Sequence, residues 1–341
     1  MSRLGVPATI SVGSDFSGLD AGVVALRRMR VPLVLKFSCD SLPASKAFIT
    51  SNHMPDKFFD DVAARTQEEE EYVDLYLFTP PCTTFSKSGK QQGTSKREGQ
   101  VMKYSMKYIQ RNKPRLAVME NVKNLASTKF RHVLNGVLKC FDRLGYVTHH
   151  EVLNARTFRC PQSRERLFLI AIRRDSVARA FQWPRPLGRL NFSACMDPVA
   201  APAIDRPGRL PRLARSQTLV RQAFKKCLDN GVNPMDVPIL VDIDCSHKFA
   251  IYGVNIAKTL TKSRGQAGGP WISTRGRRTT ISEMLRIQGF SPPEVPWQEC
   301  AIARTVIGGM IGNSIPVPML GCVLAEGLYA AGLVAAKPAW R

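Results

Sequence analysis

The chain has 341 residues, of which 44% are apolar, and this composition excludes an intrinsically disordered protein. Lysine and arginine number 49 against 27 aspartate and glutamate residues, so the formal net charge is +22. Such an excess favours a polyanionic partner, nucleic acid before a membrane surface, over a basic surface that meets only solvent. At this length we expect two domains rather than one.

The nine cysteines show no regular spacing and no Cys-x-x-Cys pair, so neither a zinc site nor a disulfide framework is expected. The N-terminal stretch lacks the apolar core of a signal peptide, and no apolar run is long enough for a membrane span. We therefore expect an intracellular protein with reduced thiols and no bound metal. It would lie in the cytoplasm or nucleoid of a bacterial or phage host, and in the nucleus of a eukaryote.

Short apolar runs alternate with amphipathic stretches through the first half of the chain. The predicted strands are ATISVGSDF (8–16), PLVLKFSCD (32–40), YVDLYLFTP (72–80), PRLAVMEN (114–121), YVTHHEVLN (146–154) and RLFLIAIRR (166–174). The predicted helices are VVALRRM (23–29), SLPASKAFITSNH (41–53), MKYSMKYIQRN (102–112) and KFRHVLNGVLKCFDRLG (129–145). This alternation predicts an α/β fold with a doubly wound, mainly parallel sheet.

The sequence pattern changes after about residue 175, where proline and arginine become frequent and the hydrophobic periodicity weakens. Helical patterns return at TTISEMLRIQGF (279–290) and VPMLGCVLAEGLYAAGLVAA (317–336). We expect a catalytic and cofactor-binding domain over 1–180 and a smaller unit over 181–300. A C-terminal segment, 301–341, would follow.

Polar residues follow the predicted strands, where α/β sheets bind their ligands. Gly18 and Gly22 after the first strand would let backbone approach a ligand, although the turn is not GxGxxG. Asp40 and Asp61 could bind the hydroxyls of a nucleoside, or each could only cap a helix. The pattern favours a nucleoside-bearing cofactor without a pyrophosphate group.

One cysteine, Cys82, stands directly after two prolines at the exit of a predicted strand. The prolines set the backbone before it, so the thiol is presented on a turn of preset shape. Glu120 ends the next strand, and a thiolate beside a carboxyl group suits attack on an electron-poor ring. Arg164 and Arg166, two apart, are predicted to lie on one strand face, where their cations could hold a carbonyl oxygen or a phosphate. Each residue alone also fits a structural role.

Together these segments resemble the cytosine-C5 DNA methyltransferases of the compact, bacterial-modification type. The matching motifs run in the family's order from residue 15 to 318: DFSGLDAG, PPCTTFSKSGKQQG, MENVKNLAS, PQSRERLFLIAIRR, TISEMLRIQGF and GNSIPVP. The resemblance implies an S-adenosylmethionine-dependent, Rossmann-like catalytic domain, a target-recognition region with a hinge helix over 181–300, and a return of 301–341 to the catalytic domain. It also implies a restriction-modification setting.

The same resemblance implies a role for individual residues. Cys82 would be the nucleophile that adds to C6, Glu120 would bind N3 and the exocyclic amine, and Arg166, supported by Arg164, would hold O2. The cofactor residues would be Phe16, Ser17, Gly18, Asp40, Asp61, Val62, Pro81, Asn313 and Ser314. The DNA contacts would come from Ser88, Lys90, Arg209, Arg212, Arg215 and Thr259. The substrate would be double-stranded DNA with the target base flipped out of the helix, and the enzyme would act as a monomer.

The chain departs from the family pattern at a few positions. Asp20 and Ala21 stand where glycines are usual, Thr83 replaces a glutamine, and Asp40 is shorter than the usual glutamate. Two alternatives stay open: a tRNA cytosine-5 methyltransferase of the same family, and a catalytically silent DNA-binding homologue. The tRNA branch carries a Cys-Phe-Thr element in its recognition region, which 180–280 lacks, and Cys82 with Glu120 argues against a silent homologue.

Overall fold

The computed structural model of the protein describes residues 9–81, 101–199, 205–245 and 248–340. The chain divides into two compact units. The first comprises Met1–Leu153, Glu165–Arg185 and Val317–Arg341, and the second comprises Asn154–Arg164 and Pro186–Pro316. The chain therefore crosses from one unit to the other more than once, and one crossing lies between Arg164 and Glu165.

The first unit contains seven strands and five helices among its described residues, and the labels below follow the order of the whole chain. The strands are β1 (Ile10–Asp15), β2 (Leu33–Cys39), β3 (Lys57–Phe59), β4 (Leu75–Phe78), β5 (Leu116–Val122), β6 (Tyr146–Asn154) and β8 (Glu165–Arg173). The helices are α1 (Ala21–Arg28), α2 (Pro43–Asn52), α3 (Met102–Asn112), α4 (Arg131–Arg143) and α9 (Val317–Ala330).

These strands form one sheet in the order β3-β2-β1-β4-β5-β8-β6. The pairs from β3 to β5 are parallel, and β8 runs antiparallel to β5. Every residue of β4 and the first six residues of β5 are buried, which is typical of central parallel strands covered on both faces. The predicted doubly wound, mainly parallel α/β sheet is confirmed. The carboxyl ends of β1, β2, β4 and β5 consequently share one edge of the sheet.

The apolar helix α9 packs against α1 in the first unit, and most of its side chains are buried. No single helix among the described residues is long and apolar enough to cross a membrane; only α9 joined with the preceding helix, Arg304–Asn313, passes that test of length and composition. The burial of α9 accounts for its apolar sequence as part of a protein core.

The second unit contains the remaining elements. Its strands are β7 (Gln162–Ser163), β9 (Ile239–Asp242), β10 (Ile251–Val254), β11 (Ala257–Lys258), β12 (Trp271–Ile272) and β13 (Arg277–Arg278). Its helices are α5 (Ala214–Asp229), α6 (Lys262–Gln266), α7 (Ile281–Ile287) and α8 (Arg304–Asn313). The antiparallel sheet has the order β10-β9-β12-β13, and β11 pairs in parallel with β7. Helix α5 packs Leu219, Val220 and Ala223 into the core formed with β9.

Candidate active site

The turn between β1 and α1 is held in an unusual backbone conformation. Phe16, Gly18 and Asp20 have φ angles of 61°, 58° and 47°, in the left-handed region. The backbone N–H of Ser17 donates to the carbonyl of Cys39 at 3.0 Å, so the turn is attached to the end of β2. A Cβ atom placed on Gly18 would meet no atom within 4 Å. The turn therefore presents open space beside its backbone, as a ligand-binding loop requires.

The carboxylate of Asp40 joins this turn to the segment after β2. Its Oδ2 accepts from the backbone N–H of Gly18 at 2.8 Å, and its Oδ1 accepts from that of Leu42 at 2.9 Å. A carboxylate accepts several hydrogen bonds at once, which is the chemistry that binds the hydroxyl groups of a ribose. Asp40 thus both shapes the loop and suits the ribose of a nucleoside cofactor.

Asp61 and Val62 follow β3, the neighbour of β2 in the sheet. Oδ1 of Asp61 accepts from the backbone N–H of Ala63 at 2.9 Å, and Val62 is buried. The backbone N–H of Asp40 donates to the carbonyl of Phe59 at 3.1 Å, which connects the two strand ends. These residues lie at the same edge of the sheet as the β1 turn.

A buried ion pair at this edge of the sheet was not predicted from the sequence. Arg65 donates to both carboxylate oxygens of Asp15, at 2.8 and 3.1 Å, and its guanidinium lies 4.8 Å from the ring centroid of Phe37 and 5.0 Å from that of Tyr108. The Tyr76 hydroxyl also donates to Asp15, and burial, together with that carboxylate, raises the pKa of Tyr76 well above its ordinary value. The ion pair connects the end of β1 to the loop that begins at Asp61, and no local sequence pattern predicts it.

Asp20 occupies the position at which glycine is usual in the resembling family. Its side chain is 2% exposed, and one oxygen accepts from the Ser38 hydroxyl at 3.0 Å. Burial raises the pKa of Asp20 from 3.8 to about 6. A buried carboxylate therefore lies directly behind the turn, at the start of α1.

Glu120 and Arg166 meet between β5 and the antiparallel β8. The register places Arg166 opposite Val122, and its Nε donates to Oε1 of Glu120 at 2.9 Å. Both side chains are largely buried, with 13% of Arg166 and 11% of Glu120 exposed. Nη1 of Arg166 also donates to the carbonyl of Glu165 at 2.8 Å. A carboxylate and a fixed guanidinium therefore lie side by side at the end of β5.

The segment that leads to Cys82 is attached to the strand ends on both sides. The Asn121 side-chain amide donates to the carbonyl of Pro80 at 3.2 Å, and the Thr79 hydroxyl donates to the carbonyl of Phe16 at 3.0 Å. Pro81 is half-buried and is the last residue described before the gap. Cys82, Ser88 and Lys90 lie outside the described residues.

The other predicted site residues belong to the second unit. The Thr259 hydroxyl donates to the carbonyl of Ser163 at 2.6 Å, Asn313 is exposed, and Ser314 is buried. Arg164 is 2% exposed and donates to the carbonyls of Leu260, Gly312 and Ser314 at 2.7, 3.1 and 2.8 Å.

The expectation that Arg164 and Arg166 share one strand face is wrong. The strand breaks at Arg164, between Ser163 and Glu165, so the two guanidinium groups have different partners in different units. Arg166 pairs with a carboxylate, whereas Arg164 donates to three backbone carbonyls.

The predicted DNA-contacting arginines precede or begin α5. Arg209, Arg212 and Arg215 are all exposed, and Arg215 also donates to the carbonyl of Cys245 at 2.9 Å. Among the described residues, no group of three or more His, Cys, Asp or Glu could hold a metal ion. Of the three exposed arginines, only Arg215 lies in α5, whose apolar side chains pack on β9.

Comparison with known proteins agrees with this arrangement. The model of the C-5 cytosine-specific DNA methylase family matches residues 10–326. The type II methyltransferase M2.ScrFI of Lactococcus lactis subsp. cremoris is 26% identical over 277 residues, covering 79% of this chain and 71% of that protein. The type II methyltransferase M.HhaI of Haemophilus parahaemolyticus is 39% identical over 112 residues, covering 33% of this chain and 34% of that protein.

A solved structure with a similar fold is the Dnmt2 methyltransferase of S. pombe, with a TM-score of 0.66 and 16% sequence identity. The match covers 94% of this chain and 98% of that one. At this identity the match shows the fold alone. The family match, in contrast, spans both units of the chain. The chain belongs to the C-5 cytosine-specific DNA methylase family and is an S-adenosylmethionine-dependent DNA cytosine-C5 methyltransferase.

Proposed function

We propose that the enzyme acts on a cytosine flipped out of double-stranded DNA, through a covalent bond between Cys82 and C6 of the base. The main support for the proposal is the Glu120–Arg166 pair, which places a carboxylate and a guanidinium at the end of β5. Asn121, the next residue of β5, donates to the carbonyl of Pro80 in the segment that leads to Cys82. The order of the six sequence motifs supports it.

The cysteine thiolate would attack C6 and form a C–S bond, and the ring electrons would move toward C5. Glu120 would accept from the exocyclic amine with one oxygen and, protonated on the other, donate to N3, and so stabilise the negative charge that develops on addition. Arg166 would hold O2 with a donor that its bond to Glu120 leaves available. C5 would then take the methyl group from the sulfonium of S-adenosylmethionine, and the electrons of the broken S–CH3 bond would stay on sulfur in S-adenosylhomocysteine. A base would remove the C5 proton, and the electrons of that C–H bond would re-form the ring double bond and expel the thiolate.

The cofactor in this proposal is S-adenosylmethionine, whose sulfonium supplies an electrophilic methyl group. The open space at Gly18 and the carboxylate chemistry of Asp40 beside it fit its ribose, and the apolar Val62 suits its adenine. The other proposed cofactor residues are those that the family resemblance implies: Phe16, Ser17, Asp61, Pro81, Asn313 and Ser314.

The DNA partner follows from the charge of +22 and from the exposed arginines before and at the start of α5. Arg209, Arg212 and Arg215 would contact phosphates, which contribute affinity more than sequence choice. Ser88, Lys90 and Thr259 would lie closer to the flipped nucleotide. We propose that 181–300, which includes the hinge helix, serves target recognition. We also propose that 301–341, of which Val317–Arg341 belongs to the first unit, completes the catalytic domain, and that the enzyme acts as an intracellular monomer.

The test is bisulfite sequencing of total DNA from cells that express the protein. We expect cytosines in one short sequence to resist conversion in cells with the wild-type chain and with Cys140→Ala. They should convert fully in cells with Cys82→Ala. Protection that persists in Cys82→Ala, or that is confined to RNA from the same cells, would contradict the proposal.

A further inference from the structure

Three buried polar side chains form one cluster in the second unit: Gln162, Arg164 and Gln288, here called the polar cluster. Each is at most 2% exposed, and the Gln162 amide donates to Oε1 of Gln288 at 2.7 Å. Polar and charged groups at this depth are costly unless their hydrogen bonds are satisfied. The partners of the polar cluster therefore show which parts of the chain it holds together.

One set of partners is the short element Thr259–Thr261. Arg164 donates to the carbonyl of Leu260 at 2.7 Å, and Oε1 of Gln162 accepts from the N–H of Leu260 at 3.4 Å. The Thr259 hydroxyl donates to the carbonyl of Ser163, between the two cluster residues. Both backbone groups of Leu260 are thus bound by the polar cluster.

The other set of partners is the C-terminal end of α8. Gln288 donates to the carbonyl of Ile311 at 2.7 Å, while Arg164 donates to those of Gly312 and Ser314. The last carbonyls of a helix lack donors within the helix, and a cation is favourable at that end. The same guanidinium therefore binds both the helix end and the Thr259–Thr261 element.

The two bound segments also touch each other directly. A Cβ atom on Gly312 would lie 2.3 Å from the carbonyl oxygen of Thr261. In the adjoining helices α6 and α8, a Cβ atom on Gly265 would lie 1.9 Å from the carbonyl oxygen of Gly308. Only glycine permits such close backbone approach. A shift of one segment therefore cannot be absorbed by side chains between them.

We propose that the polar cluster couples cofactor binding to DNA binding, by fixing the Thr259–Thr261 element against the helix end Gly312–Ser314. The inference rests on the proposed function, which assigns DNA contact to Thr259 and cofactor contact to Asn313 and Ser314. A ligand that orders either segment stabilises the arrangement that the other ligand needs, so each should strengthen the binding of the other by the same factor. Arg164 is in this account a positioning residue.

The test compares Arg164→Lys with Arg275→Lys. A lysine keeps the positive charge, but its ammonium group cannot reproduce the planar guanidinium that donates to three carbonyls. Arg275 is a matched control because it is also buried in the second unit, and it donates to the carboxylate of Asp205 and the carbonyl of Asp197. Fluorescence anisotropy with a labelled duplex carrying the site found by bisulfite sequencing measures DNA affinity, with and without S-adenosylhomocysteine.

In the wild-type chain and Arg275→Lys, we expect S-adenosylhomocysteine to strengthen DNA binding by at least about 5-fold. In Arg164→Lys the factor should fall below about 2-fold, although each ligand still binds alone and the melting temperature matches that of Arg275→Lys. If Arg164→Lys does not fold, Gln288→Met, which removes the donor to Ile311, carries the same expectation.

An unchanged coupling factor in the folded Arg164→Lys or Gln288→Met variant would overturn the inference, as would a wild-type chain that binds both ligands without coupling. A wild-type chain that binds neither ligand would overturn the proposed function, and this inference with it.

Discussion

The buried Asp20 carboxylate makes the stability of the first unit depend on pH. Its pKa is raised from 3.8 to about 6 because burial disfavours the charged form, and this gap corresponds to about 3 kcal/mol. Since the folded-state pKa is the higher one, the stability that the bound proton contributes is present at low pH. That contribution is lost as the pH rises through about 6. At neutral pH the folded enzyme therefore carries a buried charge that the unfolded chain would solvate.

The Asp20→Asn substitution should relieve this cost. Asparagine tolerates the φ of 47°, and its one oxygen can still accept from the Ser38 hydroxyl, so the substitution removes the charge together with one acceptor oxygen. We expect the free energy of unfolding to exceed that of the wild-type chain by up to about 3 kcal/mol at pH 8. The difference should shrink to about 0.5 kcal/mol at pH 4, where Asp20 is protonated in the folded state.

Urea denaturation at several pH values between 4 and 8 measures this difference. The control is Asp60→Asn, an exposed acid whose side chain is 66% accessible and pairs with Lys46, and it should change stability little at any pH. The reasoning is refuted if Asp20→Asn destabilises the protein at pH 8, or if its advantage is the same at pH 4 and pH 8.

Three further predictions concern the proposed site. Glu120→Gln should bind DNA with a dissociation constant within about 3-fold of the wild-type value. Its rate of methyl transfer, measured with a tritiated methyl group, should fall by about 10² or more. An unchanged rate would exclude Glu120 from the chemistry. Asp40→Ala should weaken S-adenosylmethionine binding by about 1.5–3 kcal/mol in titration calorimetry. Asp40→Asn, which keeps one acceptor, should weaken it less, and unchanged affinity in the alanine variant would remove Asp40 from the cofactor site. Replacing Arg209, Arg212 and Arg215 by glutamine should lower the slope of log affinity against log salt by up to about 3 while the methylated sequence stays the same; a new target sequence with the old slope would contradict this.

Elements whose local pattern and tertiary environment agree could be predicted from the sequence. The buried run of β5 was predicted because a central parallel strand needs apolar residues on both faces. The helix predicted over 279–290 begins at Ile281 because Thr280 and Glu283 form a capping box. The last predicted helix, 317–336, ends at Ala330 because Gly332 adopts a left-handed φ of 63°.

Features that depend on distant partners could not be predicted in this way. An acidic run such as EEEE at 68–71 is by its sequence alone typical of a solvated turn or helix end, but the Glu70 side chain is only 3% exposed and pairs with Arg111, 41 residues away. Asp15 and Arg65 are separated by 50 residues, and Arg164 and Gly312 by 148. Spacing along a chain carries no information about such pairs, because the fold brings their partners together.

The central claim is that Cys82 bonds to C6 of the target base. The most direct measurement incubates the enzyme with S-adenosylmethionine and a duplex carrying 5-fluorocytosine at its target, then identifies the DNA-bound peptide by mass spectrometry. Fluorine cannot leave as a cation, so elimination should stall after methyl transfer and the adduct should persist on Cys82. The adduct should form in Cys140→Ala and Cys160→Ala and be absent from Cys82→Ala. An adduct on any other cysteine, or none in the wild-type enzyme, would contradict the account.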